Sequence, residues 1–269
     1  MIRCLASLLL LVMPLPGQDK PAVEKAGSAA PHPPSVAMRT RIDAHFKARL
    51  SGLDAAVAKN PDLVELRSRR GDTHLFLAHF PEAVADFEKM VALDSAQDAP
   101  HWRLGIAYYF AGAYEKSARQ FAKYHAFDGR DRENGIWKFL AQVKAEGIDK
   151  ARREMLVYTK FDREPFPSLY EMFAGRTTAD DVLAEIKSKG LVGNDSVEFF
   201  AHYYSGLNEE ILGRRERSRD LLGKAVASPL GRELDEAPYM WQVARLHFDW
   251  LEAAGKPGTG AAAGTLKTR

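Results

Sequence analysis

The chain has 269 residues, 46% of them hydrophobic, with 38 basic residues against 36 acidic ones and a formal net charge of +2. That is enough apolar material for one core or a string of small ones, and it offers none of the bulk positive charge that would point to nucleic acid. The single cysteine, Cys4, rules out an intrachain disulfide framework and a cysteine-based metal site.

In chain order, residues 1–17 read as a secretory signal. Arg3 supplies the positive end, Leu5 to Met13 a short apolar run, and Pro14 to Gly17 a helix-breaking end. Leu15 and Gly17 suit the positions flanking cleavage before Gln18. The run is shorter than the ~20 residues a membrane helix needs. Cys4 precedes that run, whereas a lipid-attachment cysteine would follow it. The mature protein is therefore expected to be periplasmic or secreted, without a lipid anchor. Residues 18–38, rich in Pro, Ala, Ser, Gly and Lys, read as a flexible tether. Residues 253–269 carry a similar signature and read as a disordered tail, which leaves 39–252 for the folded domain.

Within that domain the sequence repeats at a fixed interval, the mark of stacked structural units. Gly71 is matched by Gly105, Phe80 by Tyr114, Ala83 by Ser117, Phe87 by Phe121, Leu93 by Phe127 and Asp94 by Asp128. The spacing predicts two antiparallel helices per unit. The glycine on the first lets the second approach closely, and the small residue sits where they cross. Pro81 falls in the first turn of a second helix, where its missing N–H costs nothing. One such pair cannot bury its own apolar face, so neighbours must stack on it.

Weaker copies flank these two. Upstream, Leu53, Ala56 and Pro61 read as a half-unit or cap. Downstream, Ala151, Met155 and Tyr158 suggest a second helix after Trp137, preceded by an irregular first one. A fourth unit is read from Gly206, Gly213, Ser218, Leu222 and Ala225. Between the third and fourth, residues 161–192 read as a non-repeat insertion. It holds a turn at Pro165–Pro167 and a helix capped by Thr178, with Asp180 and Asp181 in its first turn. A final amphipathic helix, Tyr239 to Leu251, is expected to cap the last unit.

The stretches HWRLGIAYYFAGAYEKSARQFAKY from His101 and LRSRRGDTHLFLAHFPEAVADFEKMVALDS from Leu66 resemble tetratricopeptide repeats. The fold class expected is thus an all-α tetratricopeptide-repeat solenoid with a helical insertion and a C-terminal capping helix. The order of units, with LGIAYYFAGAYEKSARQF, then IWKFLAQ, then FFAHYYSGL, resembles the bacterial NlpI-type envelope lipoproteins over residues 40–250. That resemblance implies an envelope adaptor for a protease or peptidoglycan enzymes. The sequence departs from the family by lacking a lipid-attachment cysteine.

No HExxH pair, GxSxG elbow, Walker loop or dinucleotide fingerprint occurs. The eight histidines show no ligand spacing, and His101 and His202 fall where a large residue packs between helices. No catalytic residue, metal or cofactor is therefore expected. The charged run Arg214 to Asp220 reads as a solvated turn and helix start. The first helices of a repeat array line its concave groove. Register places Ser68, Asp72, Leu75 and Phe76 there, with Trp102, Ile106, Tyr109 and Phe110 in the next unit and Tyr203, Leu207 and Glu210 in the fourth. The candidate partner-binding residues are Phe76, Trp102, Tyr109, Phe110 and Tyr203. Two functions follow: an adaptor whose groove holds a protein or peptide, or a self-associating subunit whose aromatic face is a homodimer interface.

Overall fold

The computed structural model describes residues 33–233 and 237–254. The expected signal, residues 18–32 of the expected tether and the tail beyond residue 254 lie outside the described residues. The described residues form twelve α-helices and two short 3-10 turns, with no strand among them. None of these helices is long and apolar enough to cross a membrane.

The first helix, α1 (Val36–Lys59), starts inside the stretch read as tether, where the Ser35 hydroxyl accepts a hydrogen bond from the Met38 amide at 3.2 Å. Five helix pairs follow. They are α2 (Val64–Phe76) with α3 (Phe80–Leu93), α4 (Trp102–Phe110) with α5 (Tyr114–Phe127), and α6 (Arg132–Glu146) with α7 (Ile148–Arg153). Then come α8 (Phe166–Phe173) with α9 (Ala179–Ser188), and α10 (Asp195–Ile211) with α11 (Arg215–Val226). A last helix, α12 (Tyr239–Ala254), closes the chain.

The repeat positions fall where their chemistry requires. A Cβ on Gly71 would stand 2.5 Å from the Phe87 ring, one on Gly105 2.7 Å from Phe121, and one on Gly206 2.8 Å from Leu222. Ser117 is fully buried, and its hydroxyl donates to the Gly105 carbonyl at 2.8 Å, tying α5 to α4. The same left-handed turn reverses four of the pairs, with φ of 60° at Ala78, 76° at Gly112, 79° at Gly175 and 76° at Gly213. In each, the amide just past that residue reaches back to a carbonyl in the preceding helix, as from Ala113 to Tyr108 and from Arg176 to Glu171. This is a Schellman close, which satisfies helix-end carbonyls and reverses the chain in a few residues.

Two sequence expectations change here. The 161–192 stretch is a helix pair, α8 and α9, reversed at Gly175 by that shared turn. Pro167 sits inside the first turn of α8, a position that tolerates its missing N–H. Thr178 caps α9 as expected, in a reciprocal box with Asp181. The third unit also differs. Its first helix, α6, is regular and capped by Asp131, while α7 ends at Arg153, so Met155 and Tyr158 lie beyond it. Tyr158 instead folds back from the non-helical stretch, and a Cβ on Gly135 would meet its hydroxyl at 2.5 Å. Gly135 thus has the role of Gly105 in α4, with a ring from a loop in place of one from a helix.

The two ends of the array touch. Arg39 of α1 forms an ion pair with Asp249 of α12, and its guanidinium lies 5.8 Å from the Phe248 ring centre. The first and last described helices are therefore in contact.

Candidate functional site

Eight successive residues of α12, Trp241 to Phe248, are buried. A helix covered on every side cannot merely cap one neighbour. Trp241 does cap the last pair, donating its indole N–H to the Val226 carbonyl at 3.2 Å. The rest of α12 runs along the inner faces of α2, α4 and α10. Arg245 donates to the Phe76 carbonyl at 2.6 Å, and the His247 Nδ1 lies 2.8 Å from the Tyr203 hydroxyl. The His247 ring centre is 4.7 Å from that of Phe110 and 5.6 Å from that of Tyr109, while Tyr239 stands 4.9 Å from Phe76.

The groove expected to be open is therefore largely filled by the chain itself. Phe76 is 8% exposed, Tyr109 4%, Phe110 3% and Tyr203 0%. The physical reason is the apolar surplus of α12, whose Tyr239, His247 and Trp250 rings seat against Phe76, Tyr109, Phe110 and Tyr203. Burial holds the His247 imidazole neutral, its pKa pushed down to about 3. Of the five candidate residues only Trp102 stays half-exposed, its ring 4.8 Å from Tyr239 at the start of α12.

Beside Trp102 the groove remains open as a cavity of about 300 Å³. Four half-buried side chains form its walls: Trp102 of α4, Tyr124 of α5, Phe200 of α10 and Met240 of α12. Asp131 and Glu133, at the start of α6, line it with the buried ring of Trp137 and with Arg163 from the stretch before α8.

A chain of polar contacts fixes the floor. The Trp137 indole donates to the Tyr204 hydroxyl at 3.0 Å, and that hydroxyl donates to Glu133 Oε1 at 2.6 Å. Arg163 holds Glu133 Oε2 through Nη2. Its Nη1 lies 3.4 Å from Asp162 and 3.6 Å from Asp131, and its guanidinium covers the Phe166 ring at 4.2 Å. Burial, with Asp131 nearby, pushes the Glu133 carboxyl up to about 7 against the pull of Arg163. Burial likewise raises Asp131. Arg163 is shared among three carboxylates and half-exposed, so it cannot offset the burial of any one fully. Burial pulls on the guanidinium too, but the same three carboxylates outweigh it and raise its pKa.

Of the residues lining this cavity, the sequence reading named Trp102 as a candidate, but not Asp131, Glu133, Arg163, Tyr124, Phe200 or Met240. The cap position of Asp131 before the apolar face of α6 was the available signal. Arg163 comes from a segment with no periodicity to read. The run Arg214 to Asp220, expected to be solvated, also ties elements together: Arg217 pairs with Asp180 of α9 and Arg219 with Glu252 of α12. Among the described residues no three His, Cys, Asp or Glu side chains gather to hold a metal ion. No model of a known protein family matches the chain.

Proposed function

We propose that this chain is an exported, non-catalytic tetratricopeptide-repeat adaptor of the NlpI-like kind, which holds a protein or peptide partner in the cell envelope. The observation that carries the reading is the aromatic-walled cavity at Trp102, where the inner face of the helix pairs is left uncovered by α12. The repeated contacts of Gly71 with Phe87, Gly105 with Phe121 and Gly206 with Leu222 support the repeat assignment. Half-buried aromatic rings around a cavity are the residue types that dominate binding energy at protein interfaces. The alternative, self-association through the aromatic face, would use Phe76, Tyr109, Phe110 and Tyr203, and α12 already covers them.

Affinity capture from the envelope of the native host tests the proposal, with the wild-type chain and Trp102→Ala compared side by side. Partners held by the wild type and lost by the variant are the expected result. A variant that keeps every partner would move binding away from this cavity, and a wild type that captures none would end the adaptor reading.

A further inference from the structure

We propose that the Trp102 cavity receives a basic side chain, lysine or arginine, of a peptide partner. The inference rests on the adaptor reading above and specifies what that adaptor recognises.

Three observations converge on this ligand. The first is size. At about 300 Å³ the cavity is at the low end of the roughly 300–1,000 Å³ typical of small-molecule sites, which suits one long side chain entering from a peptide. The second is the walls. Trp102 and Tyr124 are half-buried, so ring surface is left for a guest, and the electron-rich face of an aromatic ring attracts a cation. Arg163 already uses such faces, 4.2 Å from the Phe166 ring centre and 5.8 Å from that of Phe200.

The third is the balance of charge. Asp131, Glu133 and Asp162 surround the single guanidinium of Arg163, so the local side-chain charge is negative when all three are ionised. The other arginines nearby are turned elsewhere. Arg132 donates to the Lys160 carbonyl and covers Tyr158, and Arg103 pairs with Asp72. The start of α6 carries a partial positive charge that would favour an anion. Its first two amides are already served from within, Glu133 N–H by Asp131 at 3.0 Å and Arg132 N–H by Asp162 at 2.8 Å. An anionic guest would meet the outer carboxylates with its one available cation, Arg163, already shared among three of them. A cationic guest offsets the surplus negative charge and relieves the burial cost at Asp131 and Glu133. Its aliphatic stem meanwhile covers Met240 and the ring edges.

The test uses the full chain, immobilised, and a synthetic library of random octapeptides with blocked N- and C-termini, so that only side chains carry charge. Retained peptides are identified by mass spectrometry. We expect enrichment of lysine or arginine at one position, and loss of that enrichment in Asp131→Asn. Asparagine caps a helix about as well as aspartate, and thermal melting checks that the variant is folded. Replacing the enriched basic residue with norleucine should weaken the best peptide about tenfold in titration against the wild type. Retained peptides without basic enrichment, or enriched in acidic residues, overturn the inference and leave the adaptor reading standing. Equal binding of the norleucine peptide overturns it too, and needs no variant protein. If no peptide is retained, the inference falls, and the adaptor reading, which also admits a folded protein partner, is decided by the envelope capture alone.

Discussion

Trp102 and Phe110 stand at opposite ends of α4, and both belong to the inner stripe of the helix pairs. Phe110 is held between Phe80, at a ring distance of 5.1 Å, and the α12 rings of His247 and Trp250, at 4.7 and 5.1 Å. Trp102 meets α12 only where that helix begins, at Tyr239, and its other side borders the cavity. Register therefore assigns a ring to the inner face without deciding whether that face is core or site. The path of a helix far downstream in sequence makes that decision.

The largest effect expected from this comparison is at the covered end. Phe110→Ala removes a buried ring from beneath α12 and should cost about 3–5 kcal/mol, the usual range for such truncations. Denaturant unfolding of the purified chain measures it. A loss below about 1 kcal/mol would mean that α12 does not occupy the groove in solution.

Gly105 lies between the two ends and sets how closely α5 approaches α4. Any Cβ there meets the Phe121 ring, which is itself stacked on Trp137 at 6.0 Å and has nowhere to move. Gly105→Leu should cost about 1–3 kcal/mol or more by overpacking. Because both ends of α4 share this spacing, the variant should also weaken peptide binding at the cavity. Unchanged melting and unchanged binding together would show that the pair can open without consequence.

The two ends should also answer pH with opposite signs. At the covered end, burial has lowered the His247 pKa from 6.5 to about 3. The unfolded chain takes up that proton first, so the stability His247 contributes is lost as pH falls below about 6.5. At the open end, burial has raised Glu133 from 4.5 to about 7. The unfolded chain releases that proton first, so the contribution is lost as pH rises from about 4.5 towards 7. Unfolding free energies between pH 4 and 8 for wild type, His247→Gln and Glu133→Gln isolate each slope by difference. Each should be on the order of 1 kcal/mol per pH unit within its window. Two slopes of the same sign would remove the contrast.

The comparison also marks how far the sequence could be read. The repeat was legible because Gly71, Gly105 and Gly206 face side chains at one constant offset, a contact local enough to leave a period. The cap at Thr178 was legible for the same reason. The pair α8 and α9 escaped because Ser168 stands where other pairs carry glycine, and only the turn at Gly175 is shared. The seat of α12 joins residues far apart in sequence, 169 positions between Phe76 and Arg245 and 44 between Tyr203 and His247, and no period records it. One local signal did exist. From Leu104 to Phe110 α4 offers no polar face, and a helix apolar all round is covered all round. The same logic does not reach α12, because its stretch YMWQVARLHF carries Gln242, Arg245 and His247, polar residues that are nevertheless buried. Arg163 had no such signal, since its role comes from where a non-helical stretch happens to cross the start of α6.

The smallest stability effect belongs to the open end. Trp102 is only half-buried, its principal ring neighbour is Tyr239, and its removal widens an existing cavity instead of creating one in sealed core. A fully buried tryptophan replaced by alanine costs about 3–5 kcal/mol, and a ring packed against the core with one side open to a cavity should cost less, about 1–2 kcal/mol. Trp102→Ala should therefore melt within a few degrees of wild type, while Phe110→Ala, on the same helix, melts far lower. Binding should show the reverse order once each variant is corrected for its folded fraction: Trp102→Ala loses the basic peptide, and folded Phe110→Ala retains it. Melting curves and peptide titrations on the same two preparations read both quantities. If Trp102→Ala unfolds as readily as Phe110→Ala, its ring belongs to the core that α12 completes, and the division of α4 into a covered end and an open end fails.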